Sequence, residues 1–127
     1  MAFTLEDIDR AHKGVSQATV GDYLKALRGL GVVFYRTHIS DGHSDYADSE
    51  GNSLSSAPIH ELYEVADHDS VEAARLALDA HARGKTDYYT FSRQLADAGV
   101  AAWVMDPVAM TCTFFAKSGE SLIVEPV

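Results

Sequence analysis

The residues best suited to chemistry gather in one short stretch: Arg36, His38, Ser40, Asp41, His43 and Asp45. They flank Asp41-Gly42, a strong two-residue hairpin signal. That turn predicts Ser40 opposite His43, His38 opposite Asp45 and Arg36 opposite Ala47. Side chains alternate along a strand, so Arg36, His38, Ser40, His43 and Asp45 share one face while Thr37, Ile39 and Tyr46 take the other. Opposed Cβ atoms lie ~5 Å apart, close enough for an imidazole and a carboxylate to meet. Two histidines and an aspartate are the start of a divalent-metal site, such as a zinc site, with His38, His43 and Asp45 as ligands and Asp41 or Arg36 assisting. The same trio would also suit a histidine base oriented by a carboxylate. A polar hairpin face is, however, the ordinary solvated side of a half-buried antiparallel sheet, and that plainer expectation carries more weight.

Other reactive residue types form no pattern. Cys112 sits between threonines in a strand-like run with no Cys-x-x-Cys partner, so activation as a nucleophile has no visible source. His12 and His81 fall on helical stripes and read as helix-face residues. Asp67-His68-Asp69 stands where a helix cap is needed. His60-Glu61 lacks the second histidine of a zincin helix. Gly84-Lys85-Thr86 imitates the tail of a phosphate-binding loop, but Asp79 stands where that motif needs glycine and a helix precedes it.

The elements that must position these residues come in pairs. Thr4-Leu5-Glu6-Asp7 offers a hydroxyl cap with acidic residues in the first turn, followed by Leu5, Ile8, His12 and Val15 on one helical face. Thr19 caps a second helix with the stripe Val20, Tyr23, Leu27, Leu30 and a stop at Gly31. Asp69-Ser70-Val71-Glu72 starts a third, with Val71, Ala74, Leu78 and His81. Thr86 caps a fourth, with Tyr88, Phe91, Leu95 and Ala98 and a stop at Gly99. Each pair leads into β-branched and aromatic text: 32–39 with a return through Tyr46, and 100–105, 110–115 and 122–125 around Asp106-Pro107 and Gly119. Leu62-Tyr63-Glu64-Val65 is a candidate edge strand in the otherwise irregular stretch between the copies.

The pairing extends to single residues. At a constant offset of 68, Tyr23 meets Phe91, Leu27 meets Leu95, Gly31 meets Gly99, Tyr35 meets Trp103, Tyr46 meets Phe114 and Gly51 meets Gly119. These are stripe positions and turn glycines, the ones a fold needs. The expected architecture is therefore α+β: a two-layer helix and antiparallel-sheet domain of two tandem ααβββ pseudo-repeats. It forms a single domain, 1–127, with halves of about 1–58 and 69–127.

Composition narrows the function classes. A chain of 127 residues with 46% hydrophobic content can bury a substantial core. A formal charge of −9 works against phosphate-backbone binding, so no nucleic-acid partner is expected. No apolar run approaches the roughly 20 residues that span a bilayer, and no membrane partner is expected. The single cysteine and the acidic N-terminal residues fit a cytoplasmic protein without disulfides.

Ser40-Asp41-Gly42-His43, Gly84-Lys85-Thr86-Asp87-Tyr88-Tyr89-Thr90-Phe91, Gly99-Val100 with Trp103, and Met110-Thr111-Cys112-Thr113 together resemble the YbcV/YdfO-like family of small prophage-associated bacterial proteins. The resemblance runs nearly the full length. It implies an α+β fold and a mobile-element setting, and it carries no catalytic or binding residue. The leading expectation is a non-enzymatic, acidic interaction module with a protein partner or self-association and no cofactor. The alternative is a small-ligand or divalent-metal protein, such as a hydrolase, built on His38, His43 and Asp45.

Overall fold

The computed structural model describes residues 3–12 and 20–127. Within them the chain runs α1 (Leu5–His12), α2 (Val20–Leu30), β1 (Phe34–His38), β2 (Ser44–Ala47) and β3 (Ser53–Ser55). It then repeats the order as α3 (Val71–Ala82), α4 (Tyr88–Asp97), β4 (Val100–Asp106), β5 (Thr111–Ala116) and β6 (Ser121–Pro126). The α+β expectation holds. No helix among the described residues is long and apolar enough to cross a membrane.

Local chemistry explains where the helices begin. Thr4 and Asp7 satisfy each other reciprocally: the Asp7 amide donates to Thr4 Oγ1 (3.2 Å) and the Thr4 amide to Asp7 Oδ2 (3.1 Å). Ser70 caps α3 by accepting from the Ala73 amide. The cap of α4 is Asp87, not Thr86: Asp87 Oδ1 accepts from the Thr90 amide at 2.7 Å. An ionised acceptor there also complements the helix dipole. The Thr86 hydroxyl instead lies 3.1 Å from His81 Nδ1. The expected Thr19 cap and the Val15 stripe position lie outside the described residues.

The six strands form one antiparallel sheet in the order β3-β2-β1-β4-β5-β6. The two meanders therefore join through their first strands. Arg36 pairs with Val104, its own counterpart at the 68-residue offset, and the neighbouring pairs run symmetrically outward from it. The hairpin registers match as well, Tyr35↔Tyr46 in one half and Trp103↔Phe114 in the other. Helices pack on one face only. Their buried stripes meet the inward residues of the strands in two clusters, Tyr23, Leu24, Leu27, Tyr35 and Tyr46 in the first half and Phe91, Leu95, Trp103, Phe114 and Ile123 in the second. Met105 and Val127 touch both clusters.

Leu62–Val65 does not extend the sheet. Backbone amides there bond elsewhere: Tyr63 donates to the Ser40 carbonyl (2.7 Å) and Ala66 to the Ala96 carbonyl (2.9 Å). The segment is thereby tied to the β1–β2 loop and to the end of α4, away from the sheet edge.

Candidate metal centre

The β1–β2 register differs from the expected one by two residues. Arg36 faces Asp45, Thr37 faces Ser44, and the His38 amide donates to the His43 carbonyl. The reason is the turn. Asp41-Gly42 is the second half of a four-residue loop, Ile39 to Gly42, closed by the Gly42 amide on the His38 carbonyl at 2.8 Å. Ile39 is pulled into the core, and its amide extends the ladder to Ala101. Gly42 has φ +76, and a Cβ there would come within 2.4 Å of Ile59 Cγ1, so the position needs glycine twice over. A shift of two keeps the ladder residues on their expected faces, because the strand period is two, while Ser40, expected on the shared face, lies in the loop instead. His38, His43 and Asp45 therefore still converge on the face away from the helices, while Thr37 and Ser44 share a buried hydroxyl bond beneath them.

The cluster is internally bonded. His38 Nε2 lies 2.7 Å from Asp45 Oδ2, and His43 Nδ1 lies 2.5 Å from Asp41 Oδ1. His43 Nε2 stands 3.7 Å from Asp45 Oδ1, and the two imidazoles stack with centroids 4.1 Å apart. One ligand atom from each of His38, His43 and Asp45 lies within 4.8 Å of the others. An ionised carboxylate only accepts, so Asp41 holds the proton on His43 Nδ1 and leaves the Nε2 lone pair facing Asp45. Ser55 of β3 donates to Asp45 Oδ1 at 2.6 Å and fixes the second carboxylate. The side chains of His38, His43 and Asp45 are 31%, 29% and 37% exposed, so the group is reachable from solvent without being loose.

Both carboxyls sit below the usual range. Partial burial is the largest single influence and pushes them up, but it is outweighed. For Asp41 the opposing effects are hydrogen bonds from the His43 backbone and ring and the nearby positive charge of His43 and His38. For Asp45 they are the bonds from Ser55 and His38 and the same two imidazoles.

Arg36 is not part of this group. Although it is the cross-strand neighbour of Asp45, its guanidinium lies over the Phe115 ring, 5.4 Å from the centroid. His81 stacks on Phe91 at 4.1 Å, and His12 meets the Tyr23 ring edge-on at 5.1 Å, so both act as helix-face residues. Cys112 is buried, and burial pushes its thiol up to about 12, which removes it as a nucleophile at neutral pH. Ser55 is the participant that sequence reasoning missed. Its signal was the meander itself, since alternation along a third strand places a hydroxyl opposite Asp45.

A single antiparallel sheet with helices on one face and a histidine–carboxylate group on the other makes this an α+β fold. A family model described as Protein of unknown function (DUF1398) matches residues 9–126, and the chain belongs to that family. No curated protein matches the chain.

Proposed function

We propose that the protein binds a divalent transition metal ion through His38, His43 and Asp45, with zinc the best match to two imidazoles and a carboxylate. The observation that supports this most is convergence: three ligand atoms within 4.8 Å, carried by two strands in fixed register. Asp41 supports it independently. A carboxylate on the far nitrogen of a ligating imidazole sets its tautomer and raises its basicity. His38 Nε2, His43 Nε2 and a carboxylate oxygen of Asp45 would hold the metal, with the proton now shared between His38 and Asp45 given up from Nε2 to Nδ1 or to solvent. Three protein ligands leave a coordination position for water or for a small ligand, the arrangement that lets zinc lower the pKa of bound water to about 7. Hydrolysis would use that water; binding alone does not require it.

A melting series tests the reading. Zn²⁺ or Ni²⁺ at 100 times its dissociation constant should stabilise the fold by about 2.7 kcal/mol. For a chain of this size that is a rise of roughly 8 °C. His43→Ala should abolish the rise, and Asp41→Asn should weaken metal binding roughly 10- to 100-fold while leaving the ligands in place. An equal rise in wild type and His43→Ala would falsify the assignment.

A second reading, an interaction module of bacterial prophage type, has its own observation. Ile59, Leu62 and Tyr89 are 50%, 80% and 51% exposed, and His60, which lies between the first two in the chain, meets the Tyr89 ring at 6.2 Å. Such a cluster suits a protein partner or a second copy of the chain.

A further inference from the structure

The helix-side layer holds a partly open cavity of about 290 Å³ between α3, α4, the start of α2 at Val20 and the sheet of the second half. Its walls are Leu78, Tyr88, Phe91, Trp103, Cys112 and Phe114, and its polar rim is Asp79, His81 and Glu125. The fold does not demand this space. The first half has Tyr35, Thr37, Ser44 and Tyr46 at the positions of Trp103, Met105, Cys112 and Phe114. There the Thr37 and Ser44 hydroxyls bond at 2.7 Å, and the Tyr35–Tyr46 centroids stand 5.2 Å apart against 6.3 Å for Trp103–Phe114. The second half exchanges the hydroxyl pair for Met105 and Cys112. The layer loses its polar staple and gains an apolar floor.

Size and charge define what fits. A dry apolar cavity of about 150 Å³ holds one benzene ring, so this one admits a two-ring aromatic. Trp103 and Phe114 meet edge-to-face at 6.3 Å and Phe91 stacks on Trp103 at 6.0 Å, so the walls are largely aromatic and suit an aromatic guest. The rim has two carboxylates and no lysine or arginine. Glu125 is paired with Arg75. Among the described residues no cation stands within ion-pairing distance of Asp79.

We propose that this cavity is a binding site for a bicyclic aromatic amine, its rings packed among the aromatic and aliphatic walls and its ammonium group at the Asp79 rim. The site is separate from the histidine cluster, which lies on the opposite face of the sheet in the other half, so it stands whether or not the metal reading does. The Asp79 carboxylate selects the sign of the guest's charge.

Titration calorimetry of the full chain with tryptamine, indole and indole-3-acetate tests this, the three sharing one ring system and differing in charge. Tryptamine should bind with a sub-millimolar dissociation constant, at least fivefold tighter than indole-3-acetate. Asp79→Asn should remove that preference and leave indole unchanged. Cys112→Met, which fills the floor, should weaken all three at least fivefold without lowering the melting temperature; if that variant fails to fold, Leu78→Phe at the half-buried wall replaces it. Absence of tryptamine binding at 2 mM overturns the proposal. So does equal affinity for the amine and the acid, or binding that no floor or wall variant weakens.

Discussion

At the residue scale, Asp41 does what Asp45 cannot. Its carboxylate bonds His43 through both the ring and the backbone amide, and so decides which imidazole nitrogen offers a lone pair. The depressed carboxyls carry a pH consequence. A group whose folded pKa lies below its unfolded value stabilises the fold fully above the unfolded value, here the ordinary 3.8, and loses that contribution as pH falls through the lower folded value. Metal-free protein should therefore lose unfolding free energy as pH drops from 5 to 2.5, and Asp41→Asn should flatten that decline. Urea titrations at three pH values read both; an unchanged slope in the variant would contradict the pairing. The face these residues share was legible from alternation alone. Their register was not, because a strong Asp-Gly signal lay inside a longer loop whose first residue, Ile39, is core. Ser55 was hidden for a different reason: its role depends on a third strand whose pairing no local pattern specifies.

At the scale of elements, two copies of one plan explain both the successes and the errors of the sequence reading. The second hairpin turns through the same four-residue loop as the first, with Met110 at φ 57 where the first has Gly42 and the Met110 amide on the Asp106 carbonyl at 2.8 Å. Comparing the copies would have exposed the longer turn, since Pro107 is buried just as Ile39 is. The starts of α1 and α3 were legible from Thr4 and Ser70, whereas that of α4 was misplaced by one residue where Thr86 and Asp87 stood side by side. The edge strand at 62–65 was misread because β-propensity reports a half-buried surface, and here that surface is the flank of α4. Gly99 shows how tightly that flank is laced. Its φ is +84, and a Cβ would lie 2.6 Å from both the His68 carbonyl oxygen and Asp69 Cα, which are backbone and cannot swing aside. Gly51 has φ +86 with open space around it. Gly51→Ala should cost about 1 kcal/mol for the left-handed backbone alone. Gly99→Ala should cost roughly 3 kcal/mol, because the start of α3 must move as well. Denaturant midpoints at constant m measure the difference, and equal costs would mean that the 66–70 segment yields freely.

For the whole molecule, charge and the exposed apolar cluster pull in opposite directions. A net charge of −9 makes two copies repel, while Ile59, Leu62 and Tyr89 offer a surface to cover. If the chain self-associates there, salt should strengthen the association by screening the repulsion within ~10 Å at 0.1 M. Sedimentation at 20 and 500 mM salt should show more dimer at the higher concentration, and Leu62→Lys should remove it. A monomer at both salts would dismiss self-association as the purpose of that surface. The α+β class and its paired halves were legible because stripes and turn glycines recur at a fixed spacing. The way the halves meet was not, since the long-range choice of β1 against β4 leaves no local trace. That choice has its own consequence. The two innermost strands each complete the other half's ladder, so neither hydrophobic cluster can come apart without stripping hydrogen bonds from its twin. A chain with two cores is thereby bound to melt as one cooperative body.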